Sequence, residues 1–322
     1  MQDRDEDIVN SQRRRRKRVG RIKNAIIMII AGWILISMIL IISLFIKLSL
    51  VEHKLEKFEI NKTGTVTATE NQQAQINSEA ESEAVLESTE EELNAPPVAS
   101  GIEDASNLAT EGDIHKVYLT FEDGPSENTG EILDILAQYD VKATFFVVGK
   151  EDEESLALYK RIVEEGHTLG MHSYSNKYSV IYQSKEEFEE DFKHIQSLLK
   201  ETTGVESMYY RFPGGSSNQI SNVPMKDFIQ YLNKEGIVYY DWNVSSGDAS
   251  NAYSSDEIVA NVTADVVKYK TSVVLLHDTA EKGATVEALG TLIEKLNEMG
   301  AQILPIDEDT SVIQYVKADS IE

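Results

Sequence analysis

The chain contains no cysteine. Disulfide frameworks and thiolate metal sites are thereby excluded, so any metal centre must use oxygen and imidazole donors. Positive charge is also in deficit. Thirty Lys and Arg stand against 55 Asp and Glu, giving a formal net charge of −25 and a pI near 4.6. Phosphate backbones need a basic surface, which argues against nucleic acid as the main partner. No Gly-rich dinucleotide fingerprint and no P-loop follows any candidate strand.

The basic residues that are present cluster at the N-terminus. Arg13-Arg14-Arg15-Arg16-Lys17-Arg18 is followed by Arg21 and Lys23, then by the uncharged apolar run Ala25 to Ile46. Such a run is long enough to cross ~30 Å of hydrocarbon. It is long for a signal-peptide core and lacks a small-residue cleavage site, so it reads as an uncleaved anchor. Basic flanks stay cytoplasmic, which predicts a cytoplasmic tail over 1–23, a transmembrane helix over 24–47 and an extracytoplasmic remainder. The lipid bilayer, met by residues 25–46, is thus one expected partner. Residues 48–60 keep near-heptad apolar spacing and read as a short helical stalk. Residues 61–113 are rich in Glu, Ser, Thr, Ala, Gln and Asn and nearly free of aromatics. Such a composition cannot offset its ordering entropy, so the segment is expected to be an acidic, disordered linker. A flexible chain of ~50 residues reaches on the order of 40 Å.

From residue 114 to 322 the texture changes to alternating strand-like and helix-like runs. Strands are predicted at Val117–Phe121, Ala143–Val148, Thr168–Met171, Met208–Arg211, Ile237–Asp241, Ser272–Leu276 and Ala301–Leu304. Helices are predicted around Ile132–Leu136, Leu156–Val163, Phe188–Leu199, Met225–Leu232, Ile258–Val267 and Leu289–Leu296, with Ser254 and Glu257 at capping-box spacing. Repeated βα units imply a parallel sheet covered by helices. About seven units in ~205 residues favour an α/β fold of the distorted or incomplete (β/α) barrel type.

Barrel enzymes gather reactive groups at the C-terminal ends of their strands. Here Glu122 and Asp123 follow the first strand, His172 the third and Arg211 the fourth. Asp241 and Trp242 follow the fifth, with Asp248 beyond, and His277 and Asp278 follow the sixth. These residue types suit a divalent first-row metal held by Asp123 and His172, with Asn176 adding a carbonyl oxygen if its loop makes a helical turn. Such a metal would polarise a substrate carbonyl. Glu122 is then the expected base and His277 the acid for a leaving amine. Asp248 is the candidate to orient His277, and Arg211 to keep the base ionised. The Gly214 N–H is the candidate oxyanion donor. The predicted reaction class is metal-assisted hydrolysis of an amide or ester.

The stretches Thr120-Phe121-Glu122-Asp123-Gly124-Pro125, His172 to Asn176, Arg211-Phe212-Pro213-Gly214-Gly215, Ser245 to Ala249 and Leu275-Leu276-His277-Asp278 resemble the five motifs of the polysaccharide deacetylase family (NodB homology domain, carbohydrate esterase family 4). The resemblance runs through residues 114–318 in motif order. It implies removal of acetyl groups from N-acetylated sugars, with peptidoglycan N-acetylglucosamine as the leading substrate. It implies one divalent ion, Zn²⁺ first and Co²⁺, Mn²⁺ or Ni²⁺ as alternatives, on Asp123, His172 and Asn176. It implies Glu122 at the base position, His277 as acid, Arg211 and Asp248 tuning them, and Leu275 lining the acetyl pocket. Four positions depart from the pattern: Glu122 replaces an Asp, Asn176 replaces a His, Ser245 replaces the first Asp of the fourth motif, and Ala249 stands where many relatives place a groove-lining Trp.

Other readings stay open beside this one. A degenerate site would leave a weakly active or inactive glycan-binding relative. A chitin-like or xylan-type glycan is an alternative substrate, and the anchor and tether alone could serve a scaffolding role. Trp242 and Tyr209, Tyr210, Tyr239 and Tyr240 could stack on sugar, although most of them lie on strands and suit the core. His53, His115 and His194 are assigned no chemistry, and His167 is expected to pack locally or cap a turn. Glu186–Asp191 reads as a solvated helix face. No protein partner is evident. The anchor predicts that the full chain sediments with membranes and that removal of residues 1–47 releases it. Soluble full-length chain on fractionation would overturn the anchor.

Overall fold

A computed structural model describes residues 105–110 and 112–321. The predicted tail, span, stalk and most of the linker lie outside the described residues. Among the described residues no helix is long and apolar enough to cross a membrane.

Eight strands are described: β1 (Lys116–Glu122), β2 (Thr144–Val148), β3 (Thr168–Ser173), β4 (Tyr209–Tyr210), β5 (Val238–Tyr239), β6 (Val244–Ser245), β7 (Thr271–His277) and β8 (Gln302–Ile303). The helices are α1 (Thr129–Gln138), α2 (Glu153–Glu164), α3 (Tyr178–Ile181), α4 (Lys185–Thr203), α5 (Met225–Glu235), α6 (Ser255–Val266) and α7 (Gly283–Glu298). Seven strands pair in parallel in the order β5-β4-β3-β2-β1-β7-β6, and β8 pairs with β1 off this path. No pairing joins β5 to β6, so the sheet is the incomplete form of the predicted barrel.

The central strands β2 and β7 are buried along their whole length, and β1 at all but its first residue, as parallel strands covered on both faces must be. Their alternation divides the molecule in two. Val117, Leu119 and Phe121, with Phe145, Val147, Leu169, Met171, Val274 and Leu276, pack under the helices in the main core. The opposite faces carry Tyr118, Phe146, Val273 and, beyond β5, Tyr240, which form a smaller second cluster. On β1 the second face continues from Tyr118 to Thr120 and Glu122. On β7 it continues from Val273 to Leu275 and His277. The second face is thus apolar at one end and polar at the C-terminal ends of the strands, where the candidate site residues lie. Gly170 on β3 has no room for a Cβ, because the Phe146 ring occupies that space.

Helix ends follow their local chemistry. Ser184 caps α4 by accepting from Glu187 N–H, and Gly204 ends it at φ +76°. The predicted box at Ser254 and Glu257 is formed at the start of α6.

The structure differs from expectation at the rim. Met208–Arg211, Ile237–Asp241 and Ala301–Leu304 contribute only two ladder residues each, and the short β6 and α3 had no periodic signal. These short pairings lie toward the open side of the sheet or off its main path, where fewer neighbours extend a ladder. Residues before 114 also contact the sheet. Asn107 donates to Thr271 O and accepts from Thr271 N–H, both at 2.8 Å, and Leu108 bridges Tyr269. A carboxamide offers the same donor and acceptor as a peptide unit, so the end of the predicted linker docks as a substitute strand.

His167 lies just before β3, with its side chain fully enclosed. Its Nδ1 accepts from Ala143 N–H at 3.1 Å, and the ring packs edge-on against Phe145. Burial pulls its pKa down to about 4. The folded pKa is below the unfolded value, so the unfolded chain binds the proton first as pH falls. Stability contributed by neutral His167 is therefore full above pH ~6.5 and is lost progressively toward pH 4. Urea unfolding between pH 7 and 4 should show this loss, and His167→Gln should flatten that part of the profile.

Candidate active site

The parallel register of β1 and β7 sets Glu122 directly opposite His277. His277 Nε2 lies 3.4 Å from Glu122 Oε1, and both side chains are enclosed. The other ring nitrogen, Nδ1, meets Asp248 Oδ1 at 2.8 Å. Asp248 also accepts from the His277 backbone N–H, from Ser246 Oγ and from Thr285 Oγ1 at 2.7–2.8 Å. Burial pushes the Asp248 carboxyl up, but the His277 imidazole and these hydrogen bonds outweigh it and hold the pKa below its ordinary value. An ionised Asp248 fixes the His277 tautomer with its proton on Nδ1. Lys282 secures the loop by donating to Asp248 O, Ala249 O and Asn251 Oδ1 at 2.8–2.9 Å.

Arg211, fully buried and directly after β4, reaches the Glu122 carboxylate. Its Nη1 donates to Glu122 Oε2 at 3.2 Å and to Thr120 Oγ1 at 2.8 Å. Its Nε and Nη2 donate to Tyr240 O and Asp241 O. The guanidinium carbon sits 4.3 Å from the centre of the Phe146 ring. Burial lowers the Arg211 pKa, with Glu122 and Asp241 opposing. A guanidinium remains cationic nonetheless. Glu122 is therefore set between a fixed cation and an imidazole.

Asp123 and Asn176 both have left-handed backbone, at φ +70° and +50°. Asn and Asp tolerate this region better than other residues with a side chain. The loop makes no helical turn at Asn176; the left-handed residue brings its side chain inward instead. Asn176 Nδ2 donates to Asp123 Oδ1 at 2.9 Å, and the same oxygen lies 3.6 Å from His172 Nε2. Ligands on a tetrahedral ion with bonds of 2.0–2.2 Å stand roughly 3.4 Å apart. The Asp123–His172 spacing fits a divalent ion, and half a turn of the Asn176 amide exchanges its nitrogen for an oxygen donor. Asp123 also belongs to a second acidic group with Glu122 and His277, whose ligand atoms lie within 4.8 Å of one another. In that group Glu122 is committed to Arg211, whose positive charge opposes a cation there. That charge is absent from the contacts among Asp123, His172 and Asn176.

Gly214 and Gly215, at φ +71° and +80°, form the turn after Arg211. A Cβ on Gly214 would meet the Tyr178 hydroxyl at 2.8 Å. Leu275 shares a face of β7 with His277 and is buried. Trp242 packs edge-on against Tyr315 at 5.5 Å, while Tyr210, Tyr239 and Tyr240 are core residues. The structure thus brings Glu122, Asp123, Arg211, Asp248 and His277 together, with His172 and Asn176 joined through Asp123.

Three buried carboxylates complete this frame: Asp191, and the rim residues Asp241 and Asp278. Asp191 belongs to the helix face expected to be solvated, yet it is buried and accepts from Tyr174 N–H and Ser175 N–H at 2.7 and 2.8 Å. It thereby pins the His172–Asn176 loop to α4. Its spacing of three from Phe188 and four from Ile195 on the apolar face was the available signal. Asp278 accepts from Thr129 Oγ1 and Ser126 Oγ, and burial pushes its pKa up to about 6 against those bonds. It also fills the space where a Cβ on Gly124 would lie. Asp241 had been placed at the rim without a role; it is fully buried and hydrogen-bonds Ser216 and Tyr315.

Comparison with known proteins bears on this arrangement. A family model described as "Polysaccharide deacetylase" matches residues 109–234. YheN of Bacillus subtilis is 35% identical over 202 residues, spanning 61% of this chain and 68% of the relative. A peptidoglycan-N-acetylglucosamine deacetylase of Bacillus cereus is 30% identical, spanning 60% of this chain and 70% of the relative. The solved catalytic domain of a peptidoglycan N-acetylglucosamine deacetylase from Eubacterium rectale superimposes with a TM-score of 0.60 at 36% identity. That match covers 66% of this chain and 96% of the other.

Removing one partner of a buried ion pair strands the other charge, typically at 3–5 kcal/mol. Arg211→Met should therefore lower unfolding free energy by about 3–5 kcal/mol in urea titration. Adding Glu122→Leu should restore a substantial part of that loss. Additive losses would show that the pair is not coupled.

Proposed function

This chain belongs to the polysaccharide deacetylase family, hydrolases acting on N-acetyl groups of glycans, and from that premise we propose that it removes N-acetyl groups from peptidoglycan N-acetylglucosamine in a metal-dependent reaction. The observation that carries the reading is the chain of contacts Arg211–Glu122–His277–Asp248 beside the Asp123–His172–Asn176 group. The proposed ligands are Asp123, His172 and Asn176, with Zn²⁺ the first choice and Co²⁺, Mn²⁺ or Ni²⁺ as alternatives. A bound divalent ion supplies Lewis acidity toward the acetyl carbonyl.

The protein's own groups do the rest. Glu122 takes a proton from the attacking water, and Arg211 favours its ionised form. The longer Glu side chain sets its carboxylate about one methylene further from β1 than an Asp would. The Gly214 N–H faces the developing oxyanion, and Leu275 lies beside the acetyl methyl. His277 delivers a proton to the leaving sugar amine, with Asp248 stabilising the imidazolium before that transfer. Trp242 borders the sugar. The substrate assignment is supported by the two relatives named as peptidoglycan deacetylases. The predicted anchor supports a location at the cell membrane, with the catalytic domain outside and the glycan within the linker's reach.

One observation favours a second reading. In this structure Asn176 offers its amide nitrogen to Asp123, which would suit a glycan-binding relative with a weakened metal site. Purified chain incubated with peptidoglycan or chitooligosaccharides and Zn²⁺, Co²⁺ or Mn²⁺ decides between the two. The deacetylase reading expects acetate release that Asp123→Ala abolishes; release surviving that change rules out the mechanism. Asn176→His is expected to tighten Zn²⁺ binding about 10-fold or more, read by competition with a chromogenic chelator. Activity that appears only in Asn176→His supports the second reading.

A further inference from the structure

The C-terminal segment 313–316 lies outside all five motif stretches, yet it is bonded into the back of the active site. Asp241 is the junction. Its backbone N–H donates to Ile313 O at 2.8 Å, and its carbonyl accepts from Arg211 Nη2 at 3.3 Å. Its carboxylate faces two elements at once. Oδ1 accepts from Ser216 N–H at 2.7 Å, and Oδ2 accepts from both Ser216 Oγ and Tyr315 N–H. Ser216 Oγ in turn accepts from Val316 N–H at 3.1 Å. Ser216 directly follows the Gly214-Gly215 turn. A Cβ on Gly215 would meet Asp241 Oδ1 at 3.3 Å and the Trp242 and Tyr315 rings at 3.4 Å each. The turn is therefore held from behind by a carboxylate and two aromatic edges.

We infer that Asp241 is a positioning residue that couples the C-terminal segment to the oxyanion turn, so that residues 313–316 form part of the frame for catalysis. Two backbone N–H groups, one from each element, point at different oxygens of one carboxylate. Only a group with two acceptor oxygens meets both; an Asn side chain has one oxygen and must turn its NH₂ toward the other donor. Arg211 joins this junction to Glu122, so a shift at Asp241 reaches both the proposed base and the oxyanion donor. Misplacement on the order of 1 Å costs up to about 100-fold in rate.

The kinetic part of this inference rests on the deacetylase reading, so the test has two independent readouts. Full-length Asp241→Asn is compared with the unaltered protein in acetate release and in amide hydrogen exchange. The inference expects kcat to fall about 10-fold or more while KM stays within about threefold. It also expects exchange to accelerate together in peptides covering 213–217 and 313–317, with 171–176 unchanged. Ser216→Ala, which removes the hydroxyl link but keeps the N–H, should act in the same direction more weakly. It serves as the deciding variant if Asp241→Asn does not fold. A folded variant with wild-type kcat overturns the inference, as does faster exchange in the C-terminal peptide alone. If the unaltered protein releases no acetate under any metal, the deacetylase reading fails, and the paired exchange result decides the coupling on its own.

Discussion

The guanidinium of Arg211 is the contact on which the rest of the site depends. It lies inside the incomplete barrel with no exposure, bonded to Thr120 and Glu122 on β1 and to the carbonyls of Tyr240 and Asp241 beyond β5, over the Phe146 ring of β2. No strand pairing joins β5 to β6. The chain beyond β5 is tied to β1 across the interior by this cation, and to β7 by the hydrogen bonds of Asn243. Desolvating a guanidinium is costly, and the cost is offset only because one carboxylate, one hydroxyl and two carbonyls meet its donors. The same requirement fixes where Glu122 sits, because its Oε2 must serve Arg211 while Oε1 faces His277.

Each reactive side chain is held by a neighbour that is itself buried. Asp248 holds His277, while Thr285, Ser246 and Lys282 hold Asp248 and its loop. Asp191 holds the loop carrying His172 and Asn176. Low-dielectric surroundings make such bonds strong and their loss costly, so the network keeps a single geometry. Backbone conformation adds a further constraint at Asn176, a left-handed residue whose amide is turned toward Asp123.

Much of this was legible in the sequence. Val117–Phe121 and Ser272–Leu276 are short runs rich in apolar and β-branched residues, each with one small hydroxyl residue, which suits strands covered on both faces. The strand-end residues Glu122, Asp123, His172, Arg211 and His277 were readable because a parallel barrel puts all its strand ends on one rim. The Ser254–Glu257 box was readable because it is local. The rim's finer structure was not. The two-residue pairings of β4, β5, β6 and β8 depend on what each strand finds beside it. Asn107 docks on Thr271 through a contact 164 positions away that has no local pattern. Asp191 looked like part of a solvated face because its partners belong to a loop 16–17 residues earlier.

By itself the sequence determined the class of fold, the polar rim and the kind of chemistry that oxygen and imidazole donors allow, since these follow from periodicity and residue type. Only the tertiary structure decided which donor serves which acceptor. It set Glu122 opposite His277 through the β1–β7 register, brought Asn176 inward on a left-handed residue, and closed the back of the Gly214-Gly215 turn with Asp241 and a distant C-terminal segment. Hydrogen bonds and ion pairs act over about 3 Å, and that proximity between residues far apart in the chain exists only once the core has packed.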